Sequence, residues 1–145
     1  MGKALKKSHI REAAFLLIFE KMFRDDTCEE IIESAKEADE YEFDDEVCRI
    51  FKAVSEKSEE LDGIISEYSE KRKVGRIGKV SLAILRLAVY EAMYEESVPC
   101  NVAISEAVSL AEKYAFPNDK QFINGILGSF SRSGRVPEKQ AEDDK

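Results

Sequence analysis

The chain has no tryptophan, one histidine, three cysteines and three prolines among its 145 residues. Each shortage removes a class of chemistry. A single histidine, His9, cannot build a histidine-rich metal centre. Cys28, Cys48 and Cys100 lie far apart and show no C-x-x-C spacing. An odd set of distant cysteines fits reduced thiols in a cytoplasmic compartment. The glycines are too scattered for a Walker loop or a dinucleotide fingerprint. No apolar run reaches the roughly 20 residues that cross a bilayer. The early lysines are followed by acidic Glu12 and Glu20, and no small-residue cleavage site follows, so no secretory signal is expected.

What is present is charge, and it is segregated. The length fits one domain able to bury a continuous core. With 43% hydrophobic and 36% charged residues, the composition is that of a soluble globular protein with a heavily solvated exterior. The formal net charge is −8, which taken alone argues against a polyanionic partner. Yet Lys3, Lys6, Lys7 and Arg11 open the chain without an acid between them. Residues 71–86 carry Lys71, Arg72, Lys73, Arg76, Lys79 and Arg86, again without an acid. Residues 25–46 hold twelve acids against Lys36 alone. Such clusters fit either a local basic binding surface or plain solvated faces.

Apolar spacing predicts helices nearly throughout. From Ile10 to Phe23 the residues Ile10, Ala13, Ala14, Leu17 and Ile18 recur at helical intervals, with Ser8 as a candidate cap. Asp25 and Asp26 break the pattern, and a short helix follows with Ile31, Ile32 and Ala35. A further pattern starts near Asp44 and runs through Val47, Ile50, Phe51 and Val54. After Ser58 it resumes at Leu61, Ile64, Ile65 and Tyr68. Gly63 inside it either costs about 1 kcal/mol against alanine or marks close packing. The polar, basic stretch from Ser69 to Lys79 reads as a hinge.

The second half contains three more helical patterns. Val80 to Tyr94 is strongly apolar, and Pro99 prevents a helix from continuing out of Ser97. Another helix is expected from about Asn101 to Tyr114, where Pro117 ends the pattern. Asn118 and Gln121 have the spacing of a capping box for the last helix, which holds Phe122, Ile123, Ile126, Leu127 and Phe130. Gly125 and Gly128 on that helix would let a neighbouring backbone come close.

Four stretches now carry a resemblance over nearly the full length: the basic start into HIREAAFLLIF, EELDGIIS, AILRLAVYE, and VPCNVAISEAVSLAEKYAFPNDKQFINGIL. The last two are the most specific, joining V-P-x-x-V-A-I-x-E-A to Lys120-Gln121-Phe122-Ile123-Asn124-Gly125-Ile126-Leu127. The chain resembles the NusB family of bacterial antitermination factors. That resemblance implies an all-α fold of about seven helices in two perpendicular bundles, with no β-sheet. It implies one RNA-binding domain over residues 1–145: an N-terminal bundle at about 8–70, a hinge at about 69–79, a C-terminal bundle at about 80–132, and a disordered tail over 133–145. It also implies binding of a boxA-type single-stranded RNA together with NusE, a small-subunit ribosomal protein. The assembly would act with RNA polymerase in ribosomal RNA synthesis.

Carried over residue by residue, the RNA surface maps to Lys3, Lys6, Lys7, His9, Arg11, Asn118, Lys120 and Phe122. Lysine mostly stands where the family has arginine, which loses two-point phosphate recognition. A family glutamine falls at Leu16 and a tyrosine at Phe19. Phe122 offers either a base-stacking face or a core ring, and Asn118 either an RNA contact or a cap. The partner face maps to Lys79, Ser81, Glu91 and Glu95, with serine at 81 in place of an acid found in some members. The family also includes members that self-associate as dimers. No enzymatic constellation, metal, cofactor or membrane segment is expected. The residues point to a cytoplasmic binding protein, with a helical interaction scaffold or homodimer of weak RNA affinity as the alternative.

Overall fold

A computed structural model of the protein describes residues 5–70 and 72–139. Lys3, Lys71 and the last residues of the expected tail lie outside the described residues. Among the described residues there are seven α-helices, one 3-10 turn and no strand. The all-α expectation therefore holds. By contact the chain divides into two compact units, one ending at Ser58 and one beginning at Glu59.

The first unit contains α1 (Lys7–Lys21), α2 (Cys28–Ala38) and α3 (Asp45–Glu56). Helix α1 packs on both α2 and α3. Phe15, Leu17, Ile31, Val47 and Phe51 are at most 1% exposed, and they form the core at the spacings read from the sequence. Two caps set the ends of these helices. Thr27 accepts from the Glu30 amide while the Glu30 carboxylate accepts from the Thr27 amide, a complete capping box. Asp44 accepts from the Val47 amide and starts α3. Helix α1 has no such cap. It begins at Lys7 behind Lys6, so Ser8 already lies in the first turn and does not cap.

The second unit contains α4 (Ser58–Tyr68), the 3-10 turn Val74–Arg76, α5 (Lys79–Tyr94), α6 (Cys100–Tyr114) and α7 (Pro117–Arg132). Helices α5, α6 and α7 pack on one another. Helix α5 is buried on nearly every side, as its almost continuous apolar sequence requires. Its Arg86 clamps α4 by a two-point ion pair, Nε and Nη2 donating to the Asp62 carboxylate at 2.8 and 2.7 Å. The family resemblance implies an N-terminal bundle that includes α4 and a hinge at about 69–79. In the structure the division falls before Glu59, and α4 belongs with α5–α7.

Three local expectations give way to the observed geometry. Helix α7 starts at Pro117, whose fixed φ and missing amide suit the first helical position. Asn118 and Gln121 therefore sit inside the helix and form no capping box. A Cβ at Gly63 or Gly125 would meet nothing within 4 Å, and at Gly128 it would meet only the Arg132 guanidinium. None of these glycines admits a neighbouring backbone. Residues 133–139, expected to be disordered, are tied down. Arg135 pairs with Glu67 and donates to the Tyr68 hydroxyl at 3.4 Å. Lys139 donates to the carbonyl oxygens of Val98 and of Glu91, the latter at 2.9 Å. An ammonium there lies at the negative end of the α5 dipole, and burial pulls its pKa down.

Candidate nucleic-acid and partner interface

Helix α1 exposes Lys6 and Lys7 at its start. Lys6 is in extended conformation (φ −66°, ψ 149°), and the first turn contains no acid. Cations at a helix N-terminus oppose the dipole and stabilise nothing locally. The contrast within the same unit is direct, since α2 and α3 both begin with paired acids. His9 is half-buried, with Nε2 2.7 Å from the Glu42 carbonyl oxygen, so that nitrogen carries the proton and ties α1 to the α2–α3 loop. Arg11 does not join the exposed set. Only 7% of it is accessible, because position 11 faces inward beside Ala14 and Phe15.

The α7 group lies in the second unit. Asn118 is exposed in the first turn of the helix. Lys120 donates to Glu112 on α6 at 2.6 Å, an exposed pair of modest strength. Phe122 is half-buried, and one of its faces is covered by the Arg72 guanidinium, 4.1 Å from the ring centroid. Arg72 is held there by Asp119 at 3.3 Å, while Ser69 donates to its carbonyl oxygen. Beside this ring a cleft of about 280 Å³ runs between α4 and α7, lined by Tyr68, Gln121 and Gly125 among others. Two residues here are not marked by the sequence pattern. Arg72 stands within a charge run, with no signal of its own. Phe116, 77% exposed, is a far more open ring than Phe122. Its signal was the following proline, which leaves the ring at the cap position, ahead of the helix.

The expected partner residues divide by burial. Lys79 opens α5 and is exposed, and Glu95 is half-exposed and accepts from the Tyr90 hydroxyl at 2.6 Å. Ser81 and Glu91 are 2% and 3% exposed. They lie on inward faces of α5, so neither presents its side chain to a docking protein as the sequence mapping had it. The two replaced positions on α1 are half-buried. Phe19 stacks on Phe15 with centroids 6.0 Å apart and meets Phe23 edge-on at 5.0 Å. Among the described residues no group of three or more His, Cys, Asp or Glu side chains could hold a metal ion. No described helix is long and apolar enough to cross a membrane.

A NusB family model matches residues 8–132, from the start of α1 to the end of α7. The chain belongs to the NusB family. It is 41% identical to the transcription antitermination protein NusB of Clostridium acetobutylicum over 130 residues, covering 88% of this chain and 95% of that one. With the NusB of Acetivibrio thermocellus the identity is 42% over 120 residues, covering 81% and 83% of the two chains. The solved structure of T. maritima NusB superposes with a TM-score of 0.82 at 30% identity, covering 93% and 96%. A chain from a crystal structure of the antitermination factors NusB and NusE in complex with dsRNA aligns at a TM-score of 0.76 and 24% identity, over 88% and 96%, a likeness of fold.

Proposed function

We propose that this NusB-family chain is a non-enzymatic, cytoplasmic antitermination factor. In this reading it binds a boxA-type RNA together with NusE and joins the complex that keeps RNA polymerase processive on ribosomal RNA operons. The observation that carries the proposal is the exposed pair Lys6 and Lys7 at the uncapped start of α1. Their charge works against the helix that bears them, and an RNA backbone offers phosphates as counter-charge. The two antitermination relatives at 41% and 42% identity support the same reading.

The mechanism divides into capture and reading. Lys6 and Lys7, with Lys3 beyond the described residues, draw in the phosphates. Asn118 offers an amide to a base edge, and the rings at Phe116 and Phe122 offer stacking faces worth roughly 1–3 kcal/mol per base. Lys79 and Glu95 remain the candidate contacts to NusE, while Ser81 and Glu91 are buried on the inner faces of α5. Replacing Lys6 and Lys7 by glutamate should weaken boxA RNA binding. It should also flatten the log–log salt dependence by roughly 1.4, at about 0.7 per phosphate contact on a single strand. An unchanged affinity and slope in a filter-binding titration would remove the α1 start from the mechanism.

A second reading has its own support. Burial of Arg11 and pairing of Lys120 leave fewer open cations than the sequence promised. That favours a scaffold or homodimer with weak RNA affinity, which would form a NusE complex indifferent to RNA.

A further inference from the structure

The first unit also contains an open cavity of about 820 Å³ beneath the α2–α3 loop, with the RNA-capture residue Lys6 and the tethered His9 in its lining. Its wall includes two aromatic rings, Tyr41 and Phe43, with centroids 5.7 Å apart and planes inclined at 45°. Asp39, Glu42 and Asp44 line the same cavity, against the two lysines Lys6 and Lys36. Glu20 and Glu40 add to the negative field felt by Tyr41. Aromatic faces combined with excess carboxylate are the recognition chemistry of an organic cation. A metal ion does not fit, because no described cluster of His, Cys, Asp and Glu side chains is built to hold one.

We infer that this cavity receives an arginine side chain from a basic protein segment, the guanidinium lying against Tyr41 and Phe43 and pairing with Asp39 and Glu42. Charge complementarity selects a protein over RNA. The neighbouring face of α2 exposes Glu33 and Glu37, with Glu29 beyond them paired to Lys52, and these acids repel phosphates and steer a basic chain inward. The volume admits a guanidinium with its alkyl stem and leaves room for adjoining backbone. A free polyamine carries related ammonium chemistry. It lacks the planar fork that two carboxylates can grip.

The test is calorimetric titration of the full chain at low salt with three probes: a synthetic Arg-Gly repeat peptide, its citrulline counterpart, and spermidine. The Asp39→Asn/Glu42→Gln double variant and a Tyr41→Leu variant are titrated alongside. Asn keeps the left-handed backbone that Asp39 adopts at φ 53°, and thermal melts establish that both variants fold. The arginine peptide should bind the parent chain, bind each variant roughly tenfold or more weakly, and lose binding when arginine becomes citrulline. Equal peptide binding by parent and variants, or binding of spermidine alone, would overturn the inference. The double variant, which removes two acids beside Lys6, should bind boxA RNA at least as tightly as the parent, so failure here is separate from failure of the RNA reading.

Discussion

At Gly63 a helix interior carries a residue that nothing in the fold requires. It lies within α4, is exposed, and has no atom within 4 Å of where a Cβ would stand. Gly63→Ala should therefore raise the unfolding free energy by about 0.5–1 kcal/mol in urea titrations, through lower entropy of the unfolded chain. Tyr41 makes a pH-dependent contribution. Burial, with Glu20 and Glu40 nearby, pushes its pKa from 10.0 up to about 12. Between those values the unfolded phenol loses its proton while the folded one keeps it, so stability falls as pH rises. Tyr41→Phe should remove that part of the decline, seen as a smaller shift of the urea midpoint across the same pH window. At this scale the sequence showed which residues carry charge. It did not show which way they face. Arg11, Ser81 and Glu91 all read as surface contacts, and all three are buried.

Helices were legible wherever apolar spacing was regular, and their ends were legible only where a proline or a clear break in spacing marked them. All seven appeared from the pattern of Ile, Leu, Val and Phe, with bounds shifted by one to three residues at most ends. The α2 start shows why caps were missed. Thr27 and Glu30 stand in a run of acids, so their reciprocal bonds were hidden by a composition that reads as solvation. Thr27→Ala should cost about 1 kcal/mol of unfolding free energy. It should also increase hydrogen exchange at the Glu30 amide before other α2 amides respond. Assignment of α4 to the second unit was not readable from spacing. It depends on long-range partners such as Asp62 and Arg86, 24 residues apart.

For the whole molecule, the chain combines a net charge of −8 with a basic start on α1 and a basic connector before α5. Segregation of this kind lets an acidic protein hold RNA at one place and reject it elsewhere. Family membership was legible because long ordered motifs survive in α5 to α7. The RNA-contact set was less so, since exposure depends on packing that short motifs do not encode. Capture of boxA-type RNA by the start of α1, in company with NusE, is tested by one titration of boxA-like and scrambled RNA, each with and without NusE, on the parent and the Lys6→Glu/Lys7→Glu variant. With NusE present, the parent should prefer boxA-like RNA by roughly tenfold or more, a preference carried by base contacts. The variant should lose most of its RNA affinity while still binding NusE. Equal affinity for both RNAs, or a variant that binds RNA as the parent does, would contradict that capture.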